Sequence, residues 1–65
     1  MTTFASFLDR SGAILLVNVE RIRAIKSMFQ DPDHSVIMFN SKDDYEIVQG
    51  TLEATLGTIQ KAQAN

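Results

Sequence analysis

Apolar and polar positions follow two different periods along this chain. Between Phe4 and Val48 the apolar residues alternate with polar ones or form short runs, which is typical of β-strands. From Leu52 onward they recur every three or four residues, which is typical of a helix. The pattern therefore predicts an α+β domain, in which a small antiparallel β-sheet of four to five strands is closed by one C-terminal α-helix.

The first two strands are predicted to form a hairpin. Residues 4–9 alternate and predict a short strand with mixed faces, and residues 9–12, Asp-Arg-Ser-Gly, predict a turn because Gly adopts a positive φ without steric cost. Residues 13–17 are apolar at every position. A strand that is apolar on both faces is expected at the centre of a sheet, so we predict a central second strand.

A single helical turn is predicted directly after the second strand. Asn18 is a favoured helix N-cap, and Glu20 places a negative charge in the first turn, where the helix dipole favours it. Val19 and Ile22 are spaced to share one face. We expect this turn to reverse the chain and to plug one end of the core.

Residues 23–30 predict a third strand, with Ile25 and Phe29 on one face and Ala24, Lys26 and Met28 on the other. Residues 31–34, Asp-Pro-Asp-His, predict a turn because Pro fixes φ and Asp bonds its own backbone. Two more strands are predicted, at 35–40 and 45–48, separated by the polar turn 41–44.

The C-terminal segment predicts one amphipathic helix. Thr51 is a suitable N-cap and Glu53 suits the first turn. The expected apolar stripe consists of Leu52, Leu56 and Ile59, followed by Ala62 or Gln63. Gly57 costs roughly 1 kcal/mol relative to Ala inside a helix, so we interpret it as a point where another backbone approaches closely.

One helix with three apolar anchors covers only part of a five-stranded sheet. The remaining large side chains cannot all lie beneath it; they are Phe4, Phe7, Met28, Phe29, Met38 and Tyr45. The sequence therefore predicts a second apolar face that requires a partner.

The length and composition support the same expectation. The 65 residues form a single small domain over 1–65, and a chain of this length buries only about 60% of the surface that its unfolded form exposes. Small domains often add disulfides, metals or partner subunits, and this chain has no Cys. Homo-oligomerisation is the remaining way to gain stability.

Charge and hydropathy limit the class of protein. The formal net charge is −2, no apolar run approaches the roughly 20 residues of a membrane span, and the first residues lack the basic region of a signal peptide. We therefore expect a cytoplasmic protein that does not bind membranes.

No residues form a recognisable catalytic, cofactor or metal site. His34 is the only His and lies in a predicted turn, and the acidic pairs Asp31/Asp33 and Asp43/Asp44 also lie in turns, where Asp is favoured for backbone reasons. The three glycines are isolated and form no phosphate-binding loop. We predict that the protein is not an enzyme and needs no cofactor.

A small basic cluster offers an alternative function. Arg21, Arg23 and Lys26 surround the start of the third strand, and with Tyr45 or Phe29 they are candidate nucleic-acid-binding residues. The competing interpretation is cross-strand charge pairing, for example with Glu46. Six basic residues against eight acidic ones favour charge pairing, because phosphate binding depends on several cationic contacts.

The order of these segments resembles the small flagellar FlbD-type proteins. The resemblance is carried by Gly12, the strand that ends in Val17-Asn18, the pair Ile22 and Ile25, the Asp-Pro-Asp turn, the segments Val-Ile-Met-Phe-Asn and Tyr-Glu-Ile-Val, and the closing helix. The turn Ser-Lys-Asp-Asp replaces the Asn-Gly type of turn usual in that family. A similar closing strand and helix occur in LytTR-type DNA-binding domains, which are longer and more basic. The first resemblance implies a bacterial accessory protein without catalytic residues.

These observations predict a non-enzymatic cytoplasmic protein-interaction domain that acts as a homo-oligomer and binds itself, another protein or both. The alternative is a regulatory nucleic-acid-binding protein that uses the basic cluster.

Overall fold

The computed structural model describes residues 3–41 and 43–64 and confirms the predicted α+β fold class. Five strands, one 3₁₀ turn and one helix follow the predicted order. They are β1 (Phe4–Leu8), β2 (Ile14–Asn18), the 3₁₀ turn Val19–Arg21, β3 (Ala24–Met28), β4 (Asp31–Met38), β5 (Tyr45–Gln49) and α1 (Leu52–Gln63).

The five strands form two antiparallel ladders that a single bridge connects. β1 pairs with β2, and β3, β4 and β5 form a meander in that order. An isolated antiparallel bridge between Asp9 and Val48 joins the end of β1 to β5. Across this junction the order of the strands is β2-β1-β5-β4-β3, and β2 and β3 are the strands farthest from the bridge.

The prediction that the second strand is central is therefore wrong. β2 pairs with β1 alone among the described strands. Ile14 and Leu16, on the side of β2 that faces away from the core, are 73% and 63% exposed. The unbroken apolar run thus reflects one buried face and one exposed apolar face rather than a strand buried on both sides.

The hairpin turn between β1 and β2 is organised by the Asp9 carboxylate, as its sequence predicts. Asp9 Oδ1 accepts hydrogen bonds from the Ser11 hydroxyl (2.6 Å), the Ser11 amide (2.9 Å) and the Ala13 amide (3.0 Å). Gly12 completes the turn with φ +90°. The Ser11 hydroxyl, followed by the Ala13 amide, lowers the pKa of Asp9 because these donors favour the charged carboxylate.

We expect this carboxylate to make the stability of the hairpin depend on acid pH. A carboxyl whose pKa is lower in the folded than in the unfolded state stabilises the fold above its unfolded pKa and loses that contribution as pH falls through its folded pKa. Urea unfolding should therefore show a stability difference between the wild type and Asp9→Asn that shrinks below about pH 4. A difference that stays constant from neutral pH into this acid range would contradict the prediction.

The predicted helical turn after β2 is present. Asn18 caps it, since its side-chain oxygen accepts a hydrogen bond of 3.0 Å from the Glu20 amide. Val19 is buried, and Ile22 packs against the core from just beyond the turn. The turn connects the two ladders and contributes apolar side chains to the core. The predicted reversal of the chain is wrong, because the antiparallel pairings give β2 and β3 the same direction.

The turn predicted at residues 31–34 is wrong, because these residues belong to β4. The reversal occurs at Phe29 and Gln30, where Gln30 has φ +59°, and Met28 pairs with Asp31. A register shift follows between Ser27 and Met28 and leaves extra residues on β4. Such an irregularity accommodates Pro32, which has no amide proton to donate to a ladder.

Phe29 also departs from its predicted position. It lies in the hairpin turn and is 86% exposed, instead of lying beside Ile25 on a strand face. The third strand ends at Met28, two residues earlier than predicted.

Helix α1 begins after the predicted cap. The Thr51 hydroxyl oxygen accepts a hydrogen bond of 3.1 Å from the Ala54 amide. Its buried side chains are Thr55 and Ile59, whereas Leu56 is 44% exposed. The inward stripe therefore includes Thr55 in place of the predicted Leu56. No described helix is long and apolar enough to cross a membrane.

Gly57 does not mark a close backbone approach. A Cβ built on Gly57 would meet no atom within 4 Å, and the residue is exposed. The close-approach interpretation is wrong, because Gly57 lies on the solvent side of the helix.

The core lies between α1 and one face of the strands. Ile37 of β4 and Val48 of β5 are completely buried and pack with Ile59. Ser35 is also completely buried, and its hydroxyl donates a hydrogen bond of 2.9 Å to the Gly50 carbonyl. The other buried apolar residues of the cluster are Ala5, Phe7, Val17 and Val19.

Candidate interaction surface

The alternation of side chains along the strands defines the face that α1 leaves uncovered. Ala5 and Phe7 of β1 point into the core, so Phe4 and Leu8 point away from it. In the same way, Val17 points inward, and Ile14 and Leu16 point outward. We call the surface opposite α1 the outer face.

The β1–β2 half of the outer face is apolar and exposed. Phe4 and Leu8 are 56% and 44% exposed, and the register pairs Leu8 with Ile14 and Ser6 with Leu16. Paired residues of an antiparallel ladder lie on the same face, so these apolar side chains are neighbours.

The β3–β4–β5 half of the outer face forms a shallow depression of about 320 Å³. Val36 is its most buried lining residue, and the exposed residues Phe29 and Tyr45 belong to its lining. The remaining lining residues are Lys26, Met28, Met38 and Ile47. The depression is therefore lined mainly by apolar side chains, together with the Tyr45 ring and the basic side chain of Lys26.

The bridge between Asp9 and Val48 connects the two halves of the outer face. Val48 is buried in the core, and Asp9 lies on the same, core-facing side of its strand as Ala5 and Phe7. Leu8 and Ile47 share the outer side of this junction, but the antiparallel bridge places Leu8 opposite Gln49 and Ile47 opposite Arg10 rather than opposite each other. The Gln49 side-chain amide donates a hydrogen bond of 2.9 Å to the Asp9 carbonyl and strengthens this connection.

The exposed apolar area is large for a chain of this size. A fully exposed large side chain has an accessible area of about 200 Å². With their exposed fractions, the six most exposed residues of the outer face together expose an area on the order of 700 Å². These residues are Phe4, Leu8, Ile14, Leu16, Phe29 and Tyr45. This sum covers both halves of the outer face, whereas the largest contiguous apolar patch of a typical monomer is about 300–600 Å².

The sequence anticipated this surface only in part. Phe4, Met28, Met38 and Tyr45 lie on it and Phe29 lies at its end, but Phe7 is buried in the core. Sequence reasoning missed Leu8, Ile14 and Leu16. The signal for them was the alternation with Phe7, Leu15 and Val17, which the expectation of a central β2 obscured.

The three basic candidates are all exposed. Lys26 lies on the outer face beside the depression, Arg21 ends the 3₁₀ turn, and Arg23 donates a hydrogen bond of 3.1 Å from Nε to the Phe39 carbonyl. The suggested pairing of this basic cluster with Glu46 does not fit the register for Lys26. Lys26 pairs with Val36 and through it with Ile47, so Glu46 belongs to the opposite phase of the sheet.

The residues with catalytic or metal-binding chemistry are dispersed. His34 Nδ1 lies 2.9 Å from Asp31 Oδ2, so these two side chains contact each other within β4. Among residues 3–41 and 43–64, no group of three or more His, Cys, Asp or Glu side chains is placed to hold a metal ion.

No family model, curated protein or solved structure matches this chain. The functional interpretation consequently depends on the outer face itself.

Proposed function

We propose that the protein is a non-enzymatic, cytoplasmic protein-interaction domain that self-associates through its outer face. The observation that carries the proposal is the exposure of large apolar side chains in both halves of the outer face, on β1–β2 and around the depression of β3–β4–β5. Another protein with a complementary apolar surface is a further partner of the same kind.

The size of the surface supports a stable complex. A standard protein–protein interface buries about 800 Å² on each partner, which is close to the area that the outer face exposes. Any partner that binds only the folded chain also stabilises it by mass action. A domain of 65 residues, which has a small core, gains proportionally more from such binding than a larger protein does.

The sequence resemblance supports a more specific proposal, that of a bacterial accessory protein of the FlbD type. Three residues that carry the resemblance have structural roles: Asn18 caps the 3₁₀ turn, and Ile22 and Ile25 pack against the core. These residues would maintain the fold, while the outer face would select the partner.

Sedimentation velocity of the wild type between about 1 and 100 μM tests self-association. We expect a mass that is a multiple of 7.2 kDa and that rises with concentration. Leu8→Ser should weaken the association at least about tenfold, because it removes an apolar side chain from the outer face. A wild type that sediments as a 7.2 kDa monomer throughout this range would refute self-association.

Leu56→Ser is the matched control, since Leu56 and Leu8 are both 44% exposed but lie on the helix and on the outer face respectively. The control should associate like the wild type.

Binding of labelled DNA or RNA at low salt that is lost when Arg21, Arg23 and Lys26 are all replaced by Ala would instead support the nucleic-acid alternative.

A further inference from the structure

The free edge of β2 carries unpaired backbone groups whose positions the hairpin bonds define. The Asp9 amide donates to the Ala13 carbonyl (2.9 Å), and the Val19 amide donates to the Thr3 carbonyl (3.0 Å). Both bonds follow the register of β1 and β2, so residues 13, 15, 17 and 19 direct their amides and carbonyls toward β1. Ile14 and Leu16 therefore direct theirs away from β1.

No other described strand lies along that side of β2. The edge has the sequence Ile-Leu-Leu-Val-Asn, without a charge, Pro or Gly. Exposed apolar edges of this kind pair readily with a further strand.

The opposite edge of the sheet differs in the features that prevent pairing. β3 has Lys26 at its centre, and the β3–β4 register is interrupted between Ser27 and Met28. A Lys on an edge strand and a bulge beside it both disfavour edge-to-edge association. Of the edges formed by β2 and β3, only that of β2 is therefore open to a partner strand.

We propose that the partner at this edge is a second copy of the chain, whose β2 pairs antiparallel with β2 about a two-fold axis at Leu16. This inference rests on the proposed self-association and adds an edge-to-edge contact to it. Full overlap of Ile14–Asn18 with itself places Leu16 opposite Leu16 of the second copy and Leu15 opposite Val17 of the second copy. The strand is uncharged, so its self-pairing brings no like charges together.

The pairing adds one apolar contact from the outer face and leaves the rest of that face available to a partner. Leu16 belongs to that face, so the two-fold axis makes the β1–β2 halves of the two outer faces adjacent. The Leu16 side chains, each 63% exposed in one chain, then contact each other across the axis. The new backbone hydrogen bonds and this apolar contact are formed by the same residues.

A single-cysteine variant tests the register. The chain has no Cys, so Leu16→Cys introduces one thiol in each copy. Cα atoms of a directly opposed, hydrogen-bonded antiparallel pair lie about 5.5 Å apart, which a disulfide spans. Mild oxidation with oxidised glutathione should give a covalent dimer, whereas the exposed control Lys26→Cys on the other edge should stay largely monomeric.

Equal cross-linking of Leu16→Cys and Lys26→Cys would overturn the proposed pairing.

Leu16→Pro provides a second test, because it removes an amide that points to the free edge and makes no bond to β1. With circular dichroism confirming its fold, Leu16→Pro should dissociate at least tenfold more readily than Leu16→Ser, which keeps the amide.

A Leu16→Pro variant that folds and associates as well as Leu16→Ser would also overturn the edge pairing. If the wild type still associates and Leu8→Ser weakens it, the outer face remains the interaction surface and only the β2 pairing is wrong. A monomeric wild type would refute the proposed self-association itself.

Discussion

Replacing Ile37 by Ala is expected to remove most of the folding free energy of this domain. Ile37 lies in β4 at the centre of the core, is completely buried, and packs with Val48 and Ile59. An Ile-to-Ala change at such a site costs about 2–5 kcal/mol, through lost burial and the cavity that it leaves. The stability of a 65-residue domain is about 3–10 kcal/mol in total.

Urea unfolding followed by circular dichroism measures this loss. The control is Ile14→Ala, which makes the same chemical change at a residue that is 73% exposed. At a protein concentration low enough to keep the chain monomeric, the control should lose less than about 1 kcal/mol. Similar losses for the two variants would contradict the position of the core.

Replacing Ile59 by Ala is expected to have the second largest effect, at about 2–4 kcal/mol. Ile59 is 7% exposed and is the helix residue that joins the core cluster formed by the strands. Leu56→Ala, three residues earlier, should cost less than about 1 kcal/mol because Leu56 is 44% exposed and Ala favours a helix.

Thermal or urea unfolding of the two helix variants compares these values directly. The comparison tests the orientation of α1 about its own axis. A larger loss for Leu56→Ala than for Ile59→Ala would mean that the helix packs with the Leu56 side toward the sheet.

The elements that sequence reasoning predicted correctly are those with local physical causes. Asn18 and Thr51 cap the segments that follow them through their own side chains. In the first hairpin turn, Asp9 accepts hydrogen bonds from neighbouring residues and Gly12 adopts a positive φ angle. Such interactions need no information from distant parts of the chain.

The turn at Asp31-Pro32-Asp33-His34 shows where local signals are insufficient. Turn chemistry favoured a reversal there, yet the pairing of His34 with Gln49 and the bond from the Gly50 amide to the Asp33 carbonyl (2.7 Å) keep the segment in β4. Strand pairing with residues some 15 positions away outweighs a local turn preference, because it satisfies backbone groups that the turn would leave unpaired.

The sequence predicted that some large apolar side chains would stay uncovered, but it did not predict where on the fold they lie. The count of large apolar side chains indicated that one helix could not cover them all. Which of them remain uncovered depends on the phase of each strand, since a shift of one residue exchanges the two faces of a strand. The positions of Leu8, Ile14 and Leu16 follow from the register of β1 with β2.

The amino-acid sequence by itself determined the α+β class, the order of the elements, the caps and the first hairpin, because each depends on residues close together in the chain. Only the tertiary structure decided that β2 is an edge strand, that α1 turns Thr55 rather than Leu56 inward, and that the two ladders meet at Asp9 and Val48. These features depend on contacts between residues far apart in the chain. Other arrangements of the same strands and helix differ little from the observed one in local energy, so local signals do not select among them.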